Sequence, residues 1–205
     1  MIYDVTMPIH QEMQVYKNKE EKKPKITYQL QSSPHAISET NVFLPMHTGT
    51  HMDFPRHMDA SGKTSSGFDA TTFFNKNVIV LDCSEAVDRL ELKHIEGVSF
   101  QKGDTVFFKT RNSFETAFNP NFVYVSLELS KKLATLELLA VGIDALGIER
   151  NDSMHQTHLT LMNHDIYIIE GLRLKDVPPG NYKFTALPIY ILESDALPLR
   201  VLIHN

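Results

Sequence analysis

The sequence predicts an α/β fold with a mixed or partly closed sheet, on three observations. Strand-like apolar runs at 78–82, 105–110 and 166–169 outnumber the helical ones. The two kinds of element do not alternate regularly, as a doubly wound sheet requires. No repeat, low-complexity tract or linker interrupts the 205 residues, so one domain over 1–205 is expected, long enough for a substantial core.

The elements follow in order. Residues 1–8 read as a strand leading into a loop, and 17–25 is a mixed charge run expected as a solvated loop near a pocket. Residues 26–31 and 36–44 alternate as strands do, and the second feeds a histidine-rich segment. Residues 59–68, rich in Ser, Gly and Lys, form a loop. The run 78–82 is a buried strand, and Cys83 after it reads as a buried small residue rather than a nucleophile. Residues 88–96 are expected as a short helix before Gly97, then strands at 105–110 and 122–125. Ser130 reads as the N-cap of a helix over 131–140, on the spacing of Leu133, Leu136, Leu139 and Ala140. A strand end at 141–144, a helix at 154–163 and a strand at 166–169 ending on Glu170 come next. The turn Pro178-Pro179-Gly180 and strands at 182–186 and 201–204 complete the chain.

Composition narrows the function. Hydrophobic residues at 42% and charged residues at 22% are ordinary for a globular domain. A net charge of −5 leaves no electrostatic footprint for nucleic acid, and the absence of Trp removes the best stacking surface for bases. The apolar stretches fall far short of a membrane span, and Asp4 and Glu12 interrupt any leader-like run. Cys83 is the single cysteine, so neither an internal disulfide nor a thiolate metal site is available. The expected partner is a small molecule, not nucleic acid or membrane, and the expected location is the cytoplasm.

The chemistry concentrates in His47-Thr48-Gly49-Thr50-His51-Met52-Asp53-Phe54-Pro55-Arg56-His57, three histidines and a carboxylate in eleven residues. His47, His51 and Asp53 all occupy odd positions, so extended backbone projects them from one face. A helix also aligns His47 with His51, but Gly49, two β-branched threonines and Pro55 argue for strand then loop. Neutral imidazole and carboxylate suit zinc, manganese and related ions. His57, beyond the stiffening Pro55, is either a fourth ligand or an acid/base group. Downstream, His158 on the second helix and Glu170 at the end of a strand are candidates to converge on the same place.

The eleven-residue segment resembles the His-x-Gly-Thr-His-x-Asp-x-Pro-x-His signature of the cyclase family of metal-dependent hydrolases, which includes bacterial kynurenine formamidase and isatin hydrolase. The resemblance runs along nearly the whole chain, through 3–9, 141–144, 168–172 and 186–201. It implies a barrel-like core of mixed β-sheet flanked by helices, and a homodimer or homotetramer. It further implies His47, His51 and Asp53 as ligands of one divalent metal, and His158 and Glu170 as completing a second, with Asp53 and Glu170 able to bridge. One or two ions per subunit are expected, zinc first and manganese second. His57 matches the acid/base position. Two segments depart from the formamidase pattern. Tyr16-Lys17-Asn18-Lys19 stands for a Trp-Pro-Gly-Asp-like stretch, keeping an aromatic substrate contact at Tyr16. Thr110-Arg111-Asn112 stands for a Thr-Gly-Trp-like one.

The expected activity is therefore hydrolysis of an amide or formamide C–N bond of a small molecule, arylformamidase-like. The alternatives are hydrolysis of a cyclic amide or lactone, and lyase or cyclase chemistry in the same pocket. A binding protein without turnover is the third class. Arg56 is either a contact for an anionic substrate or a solvent-facing residue, and Asp144 is either an outer partner of a ligand histidine or a strand-end cap. His10, His35, His94, His155, His164 and His204 read as surface or packing residues, with His155 one helical turn from His158.

Overall fold

Twelve strands and two α-helices are present in residues 1–30 and 37–205, the part of the chain that the computed structural model describes. The strands are β1 (Ile2–Asp4), β2 (Lys25–Leu30), β3 (Ser38–Phe43), β4 (His51–Asp53), β5 (Lys76–Asp82) and β6 (Arg89–Leu90). They continue as β7 (Thr105–Lys109), β8 (Tyr124–Val125), β9 (Ala140–Ile143), β10 (Tyr167–Glu170), β11 (Gly180–Pro188) and β12 (Ala196–His204). The helices are α1 (Leu127–Ala134) and α2 (Gln156–Met162). The expectations for Gln31, His35 and Ala36 lie outside the described residues.

Seven strands close on themselves in the order β12-β11-β5-β7-β9-β10-β4 and back to β12. The β5–β7, β7–β9 and β9–β10 junctions are parallel. The other four are antiparallel, so the barrel is mixed, and closure removes exposed sheet edges. One edge of β12 serves two neighbours, with Ala196 to Pro198 against β4 and Leu202 to His204 against β1.

Period-two alternation fills this barrel. Val78, Val80, Phe107, Ala140, Ile169, Met52, Phe184 and Val201 point inward and are at most 1% exposed. The rings of Phe73, Phe107 and Phe184 meet inside, Phe184 lying 5.7 and 5.3 Å from the other two. The alternate residues Val106, Phe108, Val141, Ile143 and Ile168 point outward into a second apolar layer, completed by Leu129 and Leu133 of α1 and Leu161 and Met162 of α2. Each such side chain contributes about 1.5–3 kcal/mol by burial. Apolar packing on both faces therefore fixes the barrel wall.

Two expected helices differ in the structure. Residues 88–96 form β6, paired in parallel with β8, followed by one 3-10 turn at Leu92–Ile95. Leu90 is fully buried by that pairing, which claims the backbone a helix would need. The passage from β8 into α1 holds the other difference: α1 starts at Leu127, with the Ser126 hydroxyl accepting from the Leu129 amide at 3.2 Å, while Ser130 lies inside the helix. Leu129 and Leu133, one turn apart and fully buried, set this earlier frame, and Ala140 belongs to β9. Cys83 is buried as expected, and burial pushes its thiol up to about 12.

Candidate active site

The site is built on the outer face of the barrel wall at β4. Met52 points into the barrel, so its neighbours His51 and Asp53 project from the opposite face. The β4–β10 register sets Ile169 across from Met52 and Glu170 across from His51, which brings the Glu170 carboxylate onto that same face. His47 reaches the site differently from its expected place on a strand. Residues 47–50 turn through Gly49, at φ +69°, and fold His47 back over β4.

Two glycines hold the halves of the site together. A Cβ on Gly171 would stand 2.3 Å from the Gly49 carbonyl oxygen, so the two backbones touch in a way only glycine permits. Between them the Thr50 hydroxyl donates to the Gly171 carbonyl at 2.7 Å and accepts from the Met7 amide at 2.7 Å. The N-terminal strand exit, the histidine segment and the end of β10 are thereby fixed to one another.

All five expected ligand residues converge. His47 Nδ1 lies 3.0 Å and His51 Nε2 3.4 Å from Asp53 Oδ1. His158 Nε2 lies 3.6 Å from Asp53 Oδ2 and 3.4 Å from Glu170 Oε1. His51 Nε2 is also 3.5 Å from Glu170 Oε2. His57 stands at the rim, its ring 3.8 Å from that of His47 and 6.0 Å from that of His158. A cavity of 130 Å³ opens over the cluster, lined by His47, His57, His158 and Glu170 together with Tyr16 and Lys22.

The residues fit a divalent cation. His51 Nε2 and both Asp53 carboxylate oxygens are buried without a hydrogen-bond partner, a costly arrangement for polar atoms that no cation joins. His51 Nδ1 donates to the Gly49 carbonyl at 2.9 Å, which turns Nε2 toward the cluster. Burial opposes charge on Asp53, yet His158, His47 and His51 hold its carboxyl well below the usual range. Burial likewise opposes charge on His51, but Asp53 and Glu170 outweigh it and push the imidazole up to about 9. His158 is raised in the same way by Asp53, Glu149 and Glu170. The cluster thus demands positive charge. His57 goes the other way, lowered chiefly by burial with Asp53 opposing, which leaves its imidazole neutral at pH 7 and free to take a proton.

Three supporting residues carry no motif and escape sequence reading. Glu149 Oε1 accepts from His158 Nδ1 and from His155 Nδ1, each at 2.7 Å, and Oε2 accepts from the Thr157 amide at 2.9 Å. His155, expected as a surface residue, therefore belongs to the rim of the site. Asp195 Oδ2 sits 3.1 Å from His47 Nε2 and 3.7 Å from His57 Nδ1, and its carbonyl accepts from the Phe54 amide at 2.9 Å. Lys22 came from the charge run read as a solvated loop. The bond from the Thr48 hydroxyl to the Lys22 carbonyl and the pairing of Ala196 with Asp53, which delivers Asp195, are both long-range results. Arg56 is exposed and lies outside the cavity lining. Asp144 serves as a strand-end cap, accepting from Thr110, Asn112 and Ser113, so the 110–112 segment is tied into this knot and does not line the cavity.

Known proteins resemble this chain along its length. The Cyclase family model matches residues 3–150. A kynurenine formamidase of Sphingopyxis alaskensis is 26% identical over 213 residues, covering 100% of this chain and 98% of its own. A solved structure described as a "predicted metal-dependent hydrolase from Bacillus stearothermophilus" superposes with a TM-score of 0.89 at 42% identity, covering 99% of this chain and 97% of that one. Isatin hydrolase A of Labrenzia aggregata shares the fold, with a TM-score of 0.85 at 21% identity over 99% of this chain and 93% of its own. The mixed seven-stranded barrel, the convergent histidines and carboxylates and the matched residues lead to one assignment: this chain belongs to the cyclase family.

Proposed function

We propose that this protein is a metal-dependent hydrolase that cleaves an amide or formamide C–N bond of a small molecule, as kynurenine formamidases are named for doing. The observation that carries the reading is the set of buried, unpartnered atoms, His51 Nε2 and both Asp53 oxygens, ringed by His47, His158 and Glu170 beneath an open cavity. These five residues would hold the metal. A divalent cation bound there supplies Lewis acidity and lowers the pKa of water from 15.7 to about 7 in favourable cases.

The chain's own groups do the rest. His57, neutral and at the rim, takes a proton from the attacking water and returns it to the leaving nitrogen. Glu149 orients His158 through Nδ1, and Asp195 orients His47 through Nε2, each fixing the tautomer that leaves the other ring nitrogen facing the cluster. Tyr16 holds the substrate from the cavity lining. Burial, then Glu170 and Glu149, raise its phenol above the usual value, so it stays an un-ionised hydrogen-bond donor. Zinc is the proposed metal, with manganese second. His47, His51, Asp53, His158 and Glu170 would together serve one ion or two.

Residues 1–205 act as one domain, in the cytoplasm and as a homodimer or homotetramer. The exposed Tyr28, Val42 and Phe43 on the β2–β3 ribbon support association, because an uncovered two-stranded ribbon is at best marginally stable. Metal analysis of protein purified without chelator, paired with turnover of N-formylkynurenine, tests the reading. His57→Ala should lower turnover roughly a hundred- to ten-thousand-fold with metal content unchanged. Metal loss in that variant would make His57 a ligand. Turnover of lactams alone would move the substrate to a cyclic amide.

A further inference from the structure

The cavity over the metal-ligand cluster carries a cation in its lining. The segment around Tyr16 folds into two 3-10 turns, Tyr16–Asn18 and Glu20–Lys22, that bring Tyr16 and Lys22 together at the cavity. The Lys22 ammonium rests 5.1 Å from the centre of the Tyr16 ring. Its backbone carbonyl accepts from the Thr48 hydroxyl at 3.1 Å, which ties this turn to the residue next to His47. The ring of Tyr16 is itself packed against Phe118 at 5.3 Å. Lys22 is thus a half-buried charge held in place on both its backbone and its side chain.

The other charges of the cavity are engaged. Glu149 is held by His155 and His158, Glu170 accepts from the Ile148 amide at 2.6 Å, and Asp152 caps the Met154 and Gln156 amides. Ion pairs with nearby glutamates occupy Lys19 and Lys23, the neighbours of Lys22 in the same charge run. Among the described residues, Lys22 is also the one lysine or arginine in the lining. A half-desolvated ammonium with free donors gains most from a charge-assisted hydrogen bond to an anion, roughly twice as strong as a neutral one. A neutral substrate offers it nothing comparable.

From this placement we propose that Lys22 determines specificity, selecting aryl amides or formamides that carry a carboxylate away from the bond being cleaved. The proposal rests on the hydrolase reading above and names its substrate class. Arg56, the other candidate anion contact, is solvent-facing and lies outside the cavity.

The test compares formanilide with ortho-, meta- and para-formamidobenzoate in the metal-loaded protein. Wild type should prefer at least one carboxylated isomer. In Lys22→Gln the ratio of kcat/KM for that isomer over formanilide should fall about tenfold or more, mostly through KM, since a hydrogen bond to a charged group is at stake. Lys22→Arg should restore the ratio, and Lys22→Glu should turn preference toward a formanilide bearing an aminomethyl group, which a purely structural lysine would not do. An unchanged ratio in Lys22→Gln and Lys22→Glu overturns the proposal while leaving the hydrolase reading intact. If wild type hydrolyses none of these compounds, the formamide part of the hydrolase reading fails instead. Calorimetric titration with benzoate then decides for Lys22: loss of binding in Lys22→Gln supports the anion subsite, and binding retained at wild-type strength overturns it.

Discussion

Two buried aspartates, Asp144 and Asp53, have opposite surroundings. Asp144 receives five hydrogen bonds, from the Thr110 amide and hydroxyl, the Asn112 amide group, and the Ser113 amide and hydroxyl, at 2.6–3.2 Å. Asp53 is equally buried, yet neither of its oxygens has a hydrogen-bond partner. Asp144 needs nothing further, and its surroundings are hydroxyls and amides. Asp53 is surrounded by imidazoles whose own free nitrogens face it. A carboxylate the fold has satisfied is a structural part, whereas one left among electron-pair donors is a place for a cation.

The largest effect that would break this comparison is at Asp53. Asp53→Asn should abolish metal binding and lower turnover by about a thousandfold or more, since the metal contribution is the main chemistry lost. The stabilisation that added metal gives the wild type, about 2.7 kcal/mol at a hundredfold excess over Kd, should vanish with it. Thermal melts with and without chelator check this. A variant that still gains stability from zinc would show that Asp53 is not at the heart of the site.

Asp144 should behave in the opposite sense. Asp144→Ala leaves several buried donors unpaired at once, so it should cost about 3 kcal/mol or more in stability. The loss should be the same in chelator and in zinc, and surviving folded protein should bind metal normally. A chelator-dependent cost would mean that the Asp144 knot couples to the metal site.

The contrast also explains what was legible in the sequence. His47, His51, Asp53 and His57 lie close in the chain, so period and spacing announce them. The strands around the barrel are visible for the same reason, because alternation is local. Closure is not local: β4 is three residues long and is fixed by partners more than a hundred residues away, at Glu170 and at Ala196. Asp195 therefore reads as an ordinary polar residue until β12 carries it beside His47. The start of α1 is not legible locally, because Ser126 and Ser130 are equally good caps by type and only the burial of Leu129 and Leu133 decides between them. Asp144 was legible as a strand-end residue, but its five donors come from a loop thirty residues earlier.

Glu149 sharpens the comparison, since it is a buried carboxylate with both kinds of partner. It accepts from the Thr157 amide, as Asp144 does from its loop, and from His158, which faces Asp53. Glu149→Gln keeps the shape but weakens the orientation of His158, so metal affinity should fall about tenfold to a hundredfold. Competition with a calibrated chelator measures it. Unchanged affinity would place Glu149 with Asp144, as a cap of α2 alone.

The smallest effect is the direction in which each aspartate bends stability with pH in chelated protein. At Asp53 the three histidines hold the folded carboxyl below its ordinary value of 3.8, even against burial, so ionised Asp53 stabilises the fold. That contribution is present above about 3.8 and lost as pH falls toward the lower folded value. At Asp144 burial raises the folded carboxyl above 3.8, with Ser113, Thr110 and Asn112 only partly opposing it. Its contribution is full below 3.8 and lost as pH rises through the folded value. The stability cost of Asp53→Asn should therefore grow as pH rises from about 3 toward 6, and the cost of Asp144→Asn should shrink over the same interval. Denaturant unfolding of wild type and both variants across that range gives the two slopes. Slopes of the same sign would mean that the histidines around Asp53 do not carry the charge that sets these two carboxylates apart.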